Sequence, residues 1–329
     1  MTEQVEDAYD VVVVGGGAAG LSGALMLARA RRSVLVVDAG APRNAPADAV
    51  HGLLGREGTA PADLAARGRE EVRGYGGLVL TGEVAGVSRR GAPDGTAFGV
   101  RLADGRAVGA RRLLVASGLV DVLPEVPGLR ERWGGDVVHC PYCHGWEVRD
   151  RAVGVLGSGP MAVHQALLFR QWSADVTLFR HTAPEPTAEE AEQLAARDIA
   201  VVEGEVTAVE TEPAAGADRL VGVGLADGTR VAREVLAVQP RAVLRAGFLA
   251  GLGLRPAQHP SGAGEYLPVD AAGRTDVPGV WAAGNVTDPS AQVGAAAAAG
   301  ALAAAQINGD LVADDTRRAV AARRALRGT

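Results

Sequence analysis

The 329-residue chain contains no lysine, so arginine supplies all 33 of its fixed positive charges. A Schiff-base lysine and the phosphate-binding lysine of a Walker loop are excluded at once. A GC-rich coding sequence accounts for the bias without any function. No basic block occurs either, and the formal net charge of −6 argues against a nucleic-acid partner. Long apolar runs are missing too. The first one follows the acidic start MTEQVEDAYD and breaks at three glycines, too soon to span a bilayer. That acidic start lacks the positive segment of a secretion signal, so a cytoplasmic location is expected, with no membrane partner. Only two cysteines are present, which rules out a disulfide framework. What remains, 47% hydrophobic and 22% charged residues, suits a globular protein with an ample core. The length suggests roughly two domains of about 150 residues each.

Two nucleotide-binding fingerprints stand out. In YDVVVVGGGAAGLSGALMLARARRSVLVVDAG, residues 11–14 form a β-branched run that fits a strand buried on both faces. Gly15, Gly17 and Gly20 follow at G-x-G-x-x-G spacing, then a helix over about 18–30, then a strand over 34–37 that ends in Asp38. The glycines permit a tight turn and a close approach to a pyrophosphate. The helix N-terminus supplies N–H groups for its charge, and Asp38 can accept hydrogen bonds from a ribose. In AVGVLGSGPMAVHQALLFRQWSADVTLFRH the pattern recurs with Gly157, Gly159 and Ala162. Arg180 and His181, not an acid, end its second strand; cations there suit the 2′-phosphate of NADP(H), although Arg180 reads equally well as a solvated charge.

Short apolar stretches between Gly/Asp turns, over about 78–118 and again over about 199–238, predict a small antiparallel meander in each half. Near the C-terminus, a strand over 280–283 meets the turn Gly284–Asn285, and an alanine-rich helix runs from about 293 to 307. A helix N-terminus beside a small-residue turn can stabilise the negative pole of a ligand. The Arg-rich tail beyond it reads as an exposed final helix or a fraying end.

Both cysteines lie in HCPYCHG: Cys140 and Cys143, flanked by His139 and His144. Taken locally, C-x-x-C-H matches haem attachment, which normally requires an exported chain. Zinc would need about four ligands, and adjacent His–Cys pairs converge poorly on one tetrahedron, so no metal is expected. An inert pair is the plain structural alternative. Redox cycling is favoured, because the motif lies between two dinucleotide modules. A disulfide between cysteines two residues apart is of the labile, catalytic kind. Exchange needs a thiolate, and His144 is the candidate base or proton donor beside it. His139 reads as a packing or surface residue.

This ordered series resembles the low-molecular-weight thioredoxin reductase family of flavoproteins over nearly the whole chain. The marks are the first glycine turn, VASG at 115–118, the C-x-x-C just before the second turn, and PGVWAAGNVTD at 278–288. The resemblance implies an α/β fold of two Rossmann-like dinucleotide-binding domains, each a three-layer ββα arrangement with a β meander. FAD would be held by residues 1–118 and 246–329, with an NADP(H)-type domain carrying the C-x-x-C inserted at 119–245, in a homodimer. The FAD residues implied are Gly15, Gly17, Gly20, Asp38, Arg43, Asn44, Gly284, Asn285 and Gln292, though Asn285 and Gln292 could simply cap the following helix. Gly157, Gly159, Ala162 and Arg180 would serve NADP(H).

Several positions depart from thioredoxin reductases. His144 replaces an acid, and His164 and Gln165 replace two glutamates. RHT at 180–182 stands for a His-Arg-Arg cluster, and Asn285 for an aspartate. In these features the chain is similar to dithiol oxidases that close disulfides in small natural products such as gliotoxin, holomycin and romidepsin. That branch implies a small-molecule dithiol and O2 as partners. Cys140 would exchange with substrate, Cys143 would face the flavin, and hydrogen peroxide would be formed. An NADPH-dependent disulfide reductase acting on thioredoxin or a relative, and a non-catalytic flavin redox sensor, are the alternatives.

Overall fold

The computed structural model describes residues 6–91, 97–214 and 218–327. The expected meander turn at 92–96, residues 215–217 between the later meander strands, and the first five residues of the acidic start lie outside the described residues. Strand β1 (Ala8–Val14), helix α1 (Ala18–Arg29) and strand β2 (Val34–Asp38) form the first fingerprint. The β1 valines divide between two cores: Val11 and Val13 face the helices, while Val12 and Val14 face the opposite layer. Helix α2 (Pro61–Gly74) leads to β3 (Leu78–Thr81). Here the structure corrects the sequence reading. β3 pairs parallel with β2 at the sheet edge and is no part of the meander. The meander is β4 (Val84–Arg89), β5 (Phe98–Leu102) and β6 (Ala107–Val115). β6 is shared: Ala107–Ala110 pair antiparallel with β5, while Gly109–Val115 run parallel to β1.

Two strands link the units. β7 (Leu119–Val122) leaves the first, then β8 (Val137–Val138), the one-turn helix α3 (Pro141–His144), β9 (Val153–Leu156), α4 (Ala162–Phe169), β10 (Val176–Phe179), α5 (Ala188–Ala196) and β11 (Ala200–Val202) build the second. The same correction applies here, since β11 is a parallel edge strand on β10. The meander proper is β12 (Val206–Glu212), β13 (Arg219–Leu225) and β14 (Arg230–Ala232), and β15 (Val235–Val238) returns to the parallel sheet, ordered β11-β10-β9-β15-β8. β16 (Arg241–Leu244) then pairs antiparallel with β7, so the outgoing and returning strands support each other.

A short hairpin, β17 (Ala257–Gln258) with β18 (Glu265–Tyr266), precedes β19 (Val280–Ala282), which joins the first sheet parallel to β6. Helix α6 runs unbroken from Val293 to Arg327, so the alanine-rich helix and the Arg-rich tail are one element. Asn308–Gly309 is a turn signal at which the sequence reading ends the helix, but the fully buried Ile307 and Leu311 on either side carry the helix through it. α6 crosses α1 at backbone contact. A Cβ on Gly300 would fall 1.9 Å from the Ala19 carbonyl oxygen. Ion pairs fasten the far side of this crossing. Arg111 binds Asp10 at 2.8 Å and Asp314 at 3.0 Å, with Asp315 also on the same guanidinium, and Arg32 reaches Asp315 at 2.7 Å. No helix among the described residues is long and apolar enough to cross a membrane.

Candidate active site

A single cavity of about 1310 Å³ runs from the first glycine turn to the cysteines. At the turn, Gly15 has φ +105°, and a Cβ there would lie 2.3 Å from the Ala116 carbonyl oxygen. A Cβ on Gly20 would lie 1.9 Å from the Gly15 oxygen, so α1 can start this close to β1 only with glycine at that position. Gly17, by contrast, faces open space. It is the N-cap of α1 and makes no side-chain capping bond, and the first turn carries no acid. The first N–H groups of α1 therefore point at the cavity without a protein partner, as an anion site requires. The start of α6, through Gln292 and Val293, borders the same cavity.

Of the FAD residues expected from the sequence, Gly15, Gly17, Asp38, Arg43, Asn44, Asn285 and Gln292 line the cavity. Gly20 and Gly284 stand behind it; a Cβ on Gly284 would meet the Ala19 methyl at 2.7 Å. Asp38 accepts from the Gly40 amide at 3.1 Å and from Arg69 at 2.8 Å. Arg43 is tied to structure rather than left free. Its Nε and Nη2 each donate to Asp121 on β7 at 2.8 Å, and Nη1 donates to the Pro289 carbonyl at 2.7 Å. The Asn285 amide donates to the carbonyls of Asp288 at 3.1 Å and Ala291 at 2.9 Å, shaping the loop before α6. A long cavity with an uncapped helix end at the glycine turn, and a buried Ser117 hydroxyl that lacks a partner, fits an extended dinucleotide such as FAD.

Cys140 and Cys143 form a disulfide across α3, with Cα atoms 5.2 Å apart, and both border the cavity. Cys140 is the N-cap of α3, and its carbonyl accepts from the amides of Cys143 and His144. Gln165 on α4, at a position where thioredoxin reductases carry glutamate, donates to the His139 carbonyl at 3.0 Å and so holds the segment entering the disulfide. Its Oε1 is buried without a partner. The ring of His139 bonds the Val238 carbonyl through Nδ1 at 3.1 Å. Burial first, and then the positive charge of Arg43, push its pKa down.

His144 lines the cavity beside Cys143, and its Nδ1 is buried without a partner. Burial pushes its pKa below the ordinary histidine value, Glu147 opposes that shift and His51 adds to it, so the ring is a neutral base near neutrality. His51 was not singled out in the sequence. The 39–60 loop brings it in, and it pairs with Glu57 at 2.6 Å and with Glu147, three residues past His144, at 3.4 Å. No spacing rule reveals such a contact. Among the described residues no group of three or more His, Cys, Asp or Glu is placed to hold a metal.

The second glycine turn is different. Gly157, Gly159, Ala162 and Arg180 lie outside the large cavity. The recess beside Gly159, Ala162 and Arg180 is only about 20 Å³ and includes Glu185 and Glu190. Arg180 is paired with Glu203. His181 accepts the Val206 amide on Nδ1 at 3.1 Å, and burial lowers its pKa.

Comparison with known proteins agrees with this geometry. The family model described as "Pyridine nucleotide-disulphide oxidoreductase" matches residues 9–305. The chain belongs to this family. Thioredoxin reductase tcpT of Claviceps purpurea is 32% identical over 84% of the chain and 86% of its own length. Thioredoxin reductase sirT of Leptosphaeria maculans is 29% identical over 91% of the chain and 93% of its own length. Among solved structures, HlmI superposes with a TM-score of 0.90 at 49% identity, covering 98% of this chain and 99% of that one. An oxidoreductase from Agrobacterium tumefaciens gives a TM-score of 0.85 at 35% identity, covering 93% and 99%. The α/β fold with two Rossmann-like units, the thioredoxin reductase-like character and the disulfide oxidoreductase class are thereby established for the chain.

Proposed function

We propose that the protein is an FAD-dependent dithiol oxidase that closes an intramolecular disulfide in a small molecule, with residues 119–245 as the inserted unit bearing the exchanging cysteines. The observation that carries this reading is a contrast between two sites. The Cys140–Cys143 disulfide shares a cavity with the first glycine turn, whereas the cations expected at the second turn are engaged elsewhere, Arg180 by Glu203 and His181 by the Val206 amide. A 2′-phosphate placed there would compete with a carboxylate already in position.

The residues divide the work as follows. A substrate thiol loses its proton to the unpartnered His144 ring and attacks Cys140. The second substrate thiol attacks the mixed disulfide, closing its own S–S bond and leaving two cysteine thiols. His144 returns a proton or stabilises the Cys143 thiolate, which it can do because its lowered pKa keeps the ring neutral before the first step. Gln165 keeps the segment entering Cys140 in place through the His139 carbonyl. When bound, FAD would supply the acceptor for the electron pair of the two thiols, with O2 as the terminal oxidant and hydrogen peroxide as its product. Gly15, Gly17 and Asp38 would hold its pyrophosphate and ribose, and Asn285 and Gln292 would border its far end.

The test is oxygen uptake with equimolar peroxide in the presence of reduced small dithiols and no NADPH. Absence of turnover with every dithiol, together with fast flavin reduction by NADPH, would refute it. That second outcome is the NADPH-dependent disulfide reductase. One observation favours it: Gly159 faces open space, so the second turn is not closed by side chains.

A further inference from the structure

Tyr142 stands between the two cysteines and has no part in thiol exchange. Its side chain is 60% exposed yet lines the same cavity as both sulfurs. An exposed tyrosine ordinarily samples several rotamers, but this one is braced. Its ring meets Trp172 edge-on, with centroids 5.6 Å apart and planes at 90°. Trp172 is held from behind. A Cβ on Gly145 would fall 2.8 Å from two indole carbons and 2.3 Å from the Pro141 carbonyl oxygen, so the indole reaches α3 only because the residue after His144 is glycine. The Trp172 carbonyl is fixed by the Asp150 amide at 2.9 Å. Gly145, Trp172 and Tyr142 thus make a rigid aromatic wall beside the disulfide.

The cavity continues past the glycine turn to the wall that carries both cysteines and Tyr142. On the cysteine side Met161, the N-cap of α4, and Leu168 within it flank His164 and Gln165 and add apolar surface. A flat ring placed against Tyr142 gains an offset or edge-on contact and is held in line with Cys140, whereas a flexible aliphatic dithiol gains neither.

We propose that Tyr142, braced by Trp172, sets substrate specificity, favouring dithiols whose thiols are carried on a flat unsaturated ring over flexible aliphatic ones. This rests on the dithiol oxidase reading for the nature of the substrate. The exchange it governs balances by itself. Substrate dithiol and enzyme disulfide give substrate disulfide and two cysteine thiols, with two electrons and two hydrogens passing to the enzyme.

The probes are 1,2-benzenedimethanethiol and dithiothreitol, which close disulfide rings of the same size but differ in the flat ring. Holoenzyme is mixed with each without oxygen and quenched with iodoacetamide at timed intervals. Alkylation of Cys140 and Cys143 is counted by mass spectrometry. The ratio of the aromatic to the aliphatic rate constant should fall about 3- to 10-fold in Tyr142→Leu, the contribution of one ring–ring contact. Trp172→Leu should lower it in the same direction, and Tyr142→Phe should retain it. Retained flavin absorbance verifies that each variant is folded. An unchanged ratio in Tyr142→Leu overturns the proposal. So does a loss confined to reduced thioredoxin as the probe, which would assign the wall to a protein partner. Because the readout needs no oxygen, a lack of oxygen uptake would defeat the oxidase reading and leave this ratio measurable.

Discussion

His144→Ala is the perturbation that bears most directly on the chemistry. The wild-type ring is a neutral base with a free Nδ1, buried beside Cys143. Of the other imidazoles on the cavity wall, His51 is engaged by Glu57 and Glu147, His139 by the Val238 carbonyl and His259 by Ser261, which leaves His164 on α4 as the one to remove alongside as a control. A positioned general base is worth about 10²- to 10⁴-fold, so dithiol-driven reduction of the enzyme should slow by at least about 100-fold in the variant. The pH profile gives a second, independent signature. The base must be unprotonated to act, and burial places its pKa below 6.5, so the wild-type rate should be flat down to about pH 6.5 and fall only below it. The variant should lose that limb. His144→Asp should recover part of the rate with its limb further to the acid side, since a carboxylate is the weaker base. The assay is anaerobic stopped-flow bleaching of the flavin by dithiothreitol between about pH 5 and pH 8. A His144→Ala enzyme that keeps its rate within about threefold, with the same acid limb, would refute the assignment of His144 as the base.

Glu203→Gln removes the carboxylate paired with Arg180, and an exposed ion pair is worth about 0.2–1 kcal/mol, so NADPH binding should tighten by about 1.5- to 5-fold in a fluorescence titration. No tightening would show that the pair is not what withholds the cation. Gly20→Ala forces a Cβ onto the Gly15 carbonyl, and the protein should purify without flavin absorbance. His139, His144 and His181 all have lowered pKa values in the fold, with burial the first cause for each. The unfolded chain therefore binds more protons below pH 6.5, and the stability present above that pH should be lost as pH falls through the folded values. Thermal melts at pH 7.5 and pH 5.5 should show a lower midpoint at the acid value; equal midpoints would contradict the burial of these rings.

Much of the fold can be read in the sequence because local and long-range signals coincide there. The β-branched run at 11–14 is buried on both faces, and the glycine turn after it serves one geometry only. The misplaced segments show where that coincidence ends. LVLT at 78–81 and AVV at 200–202 are short apolar strands followed by turns, and nothing local distinguishes a parallel edge strand from the first arm of a meander. Pairing with β2 and β10 decides it, and that is a tertiary choice. At the cavity, Cys140, Cys143 and His144 announce themselves by adjacency. Arg43 does not announce its partner, because Asp121 lies on the linking strand 78 residues away. The bracing of Tyr142 depends on Trp172 meeting Gly145, two residues that look unrelated until the turn after α4 brings the indole against the residue that follows α3.

The same separation bears on the direction of electron flow. Electrons entering from a dithiol arrive at a disulfide that already borders the cavity of the first glycine turn. Electrons entering from NADPH would arrive at a recess of about 20 Å³ edged by Glu185 and Glu190, outside that cavity, with its arginine paired. In the present geometry the thiol route needs only diffusion of a small molecule to Cys140. The nicotinamide route needs Arg180 released and a path opened into the cavity. This asymmetry makes Glu203→Gln informative in both directions. If freeing Arg180 tightens NADPH binding without speeding flavin reduction, the obstacle is position rather than affinity, and the thiol route gains support. If reduction speeds up in parallel, one carboxylate separates this chain from a reductase, and the oxidase reading would rest on His144 alone.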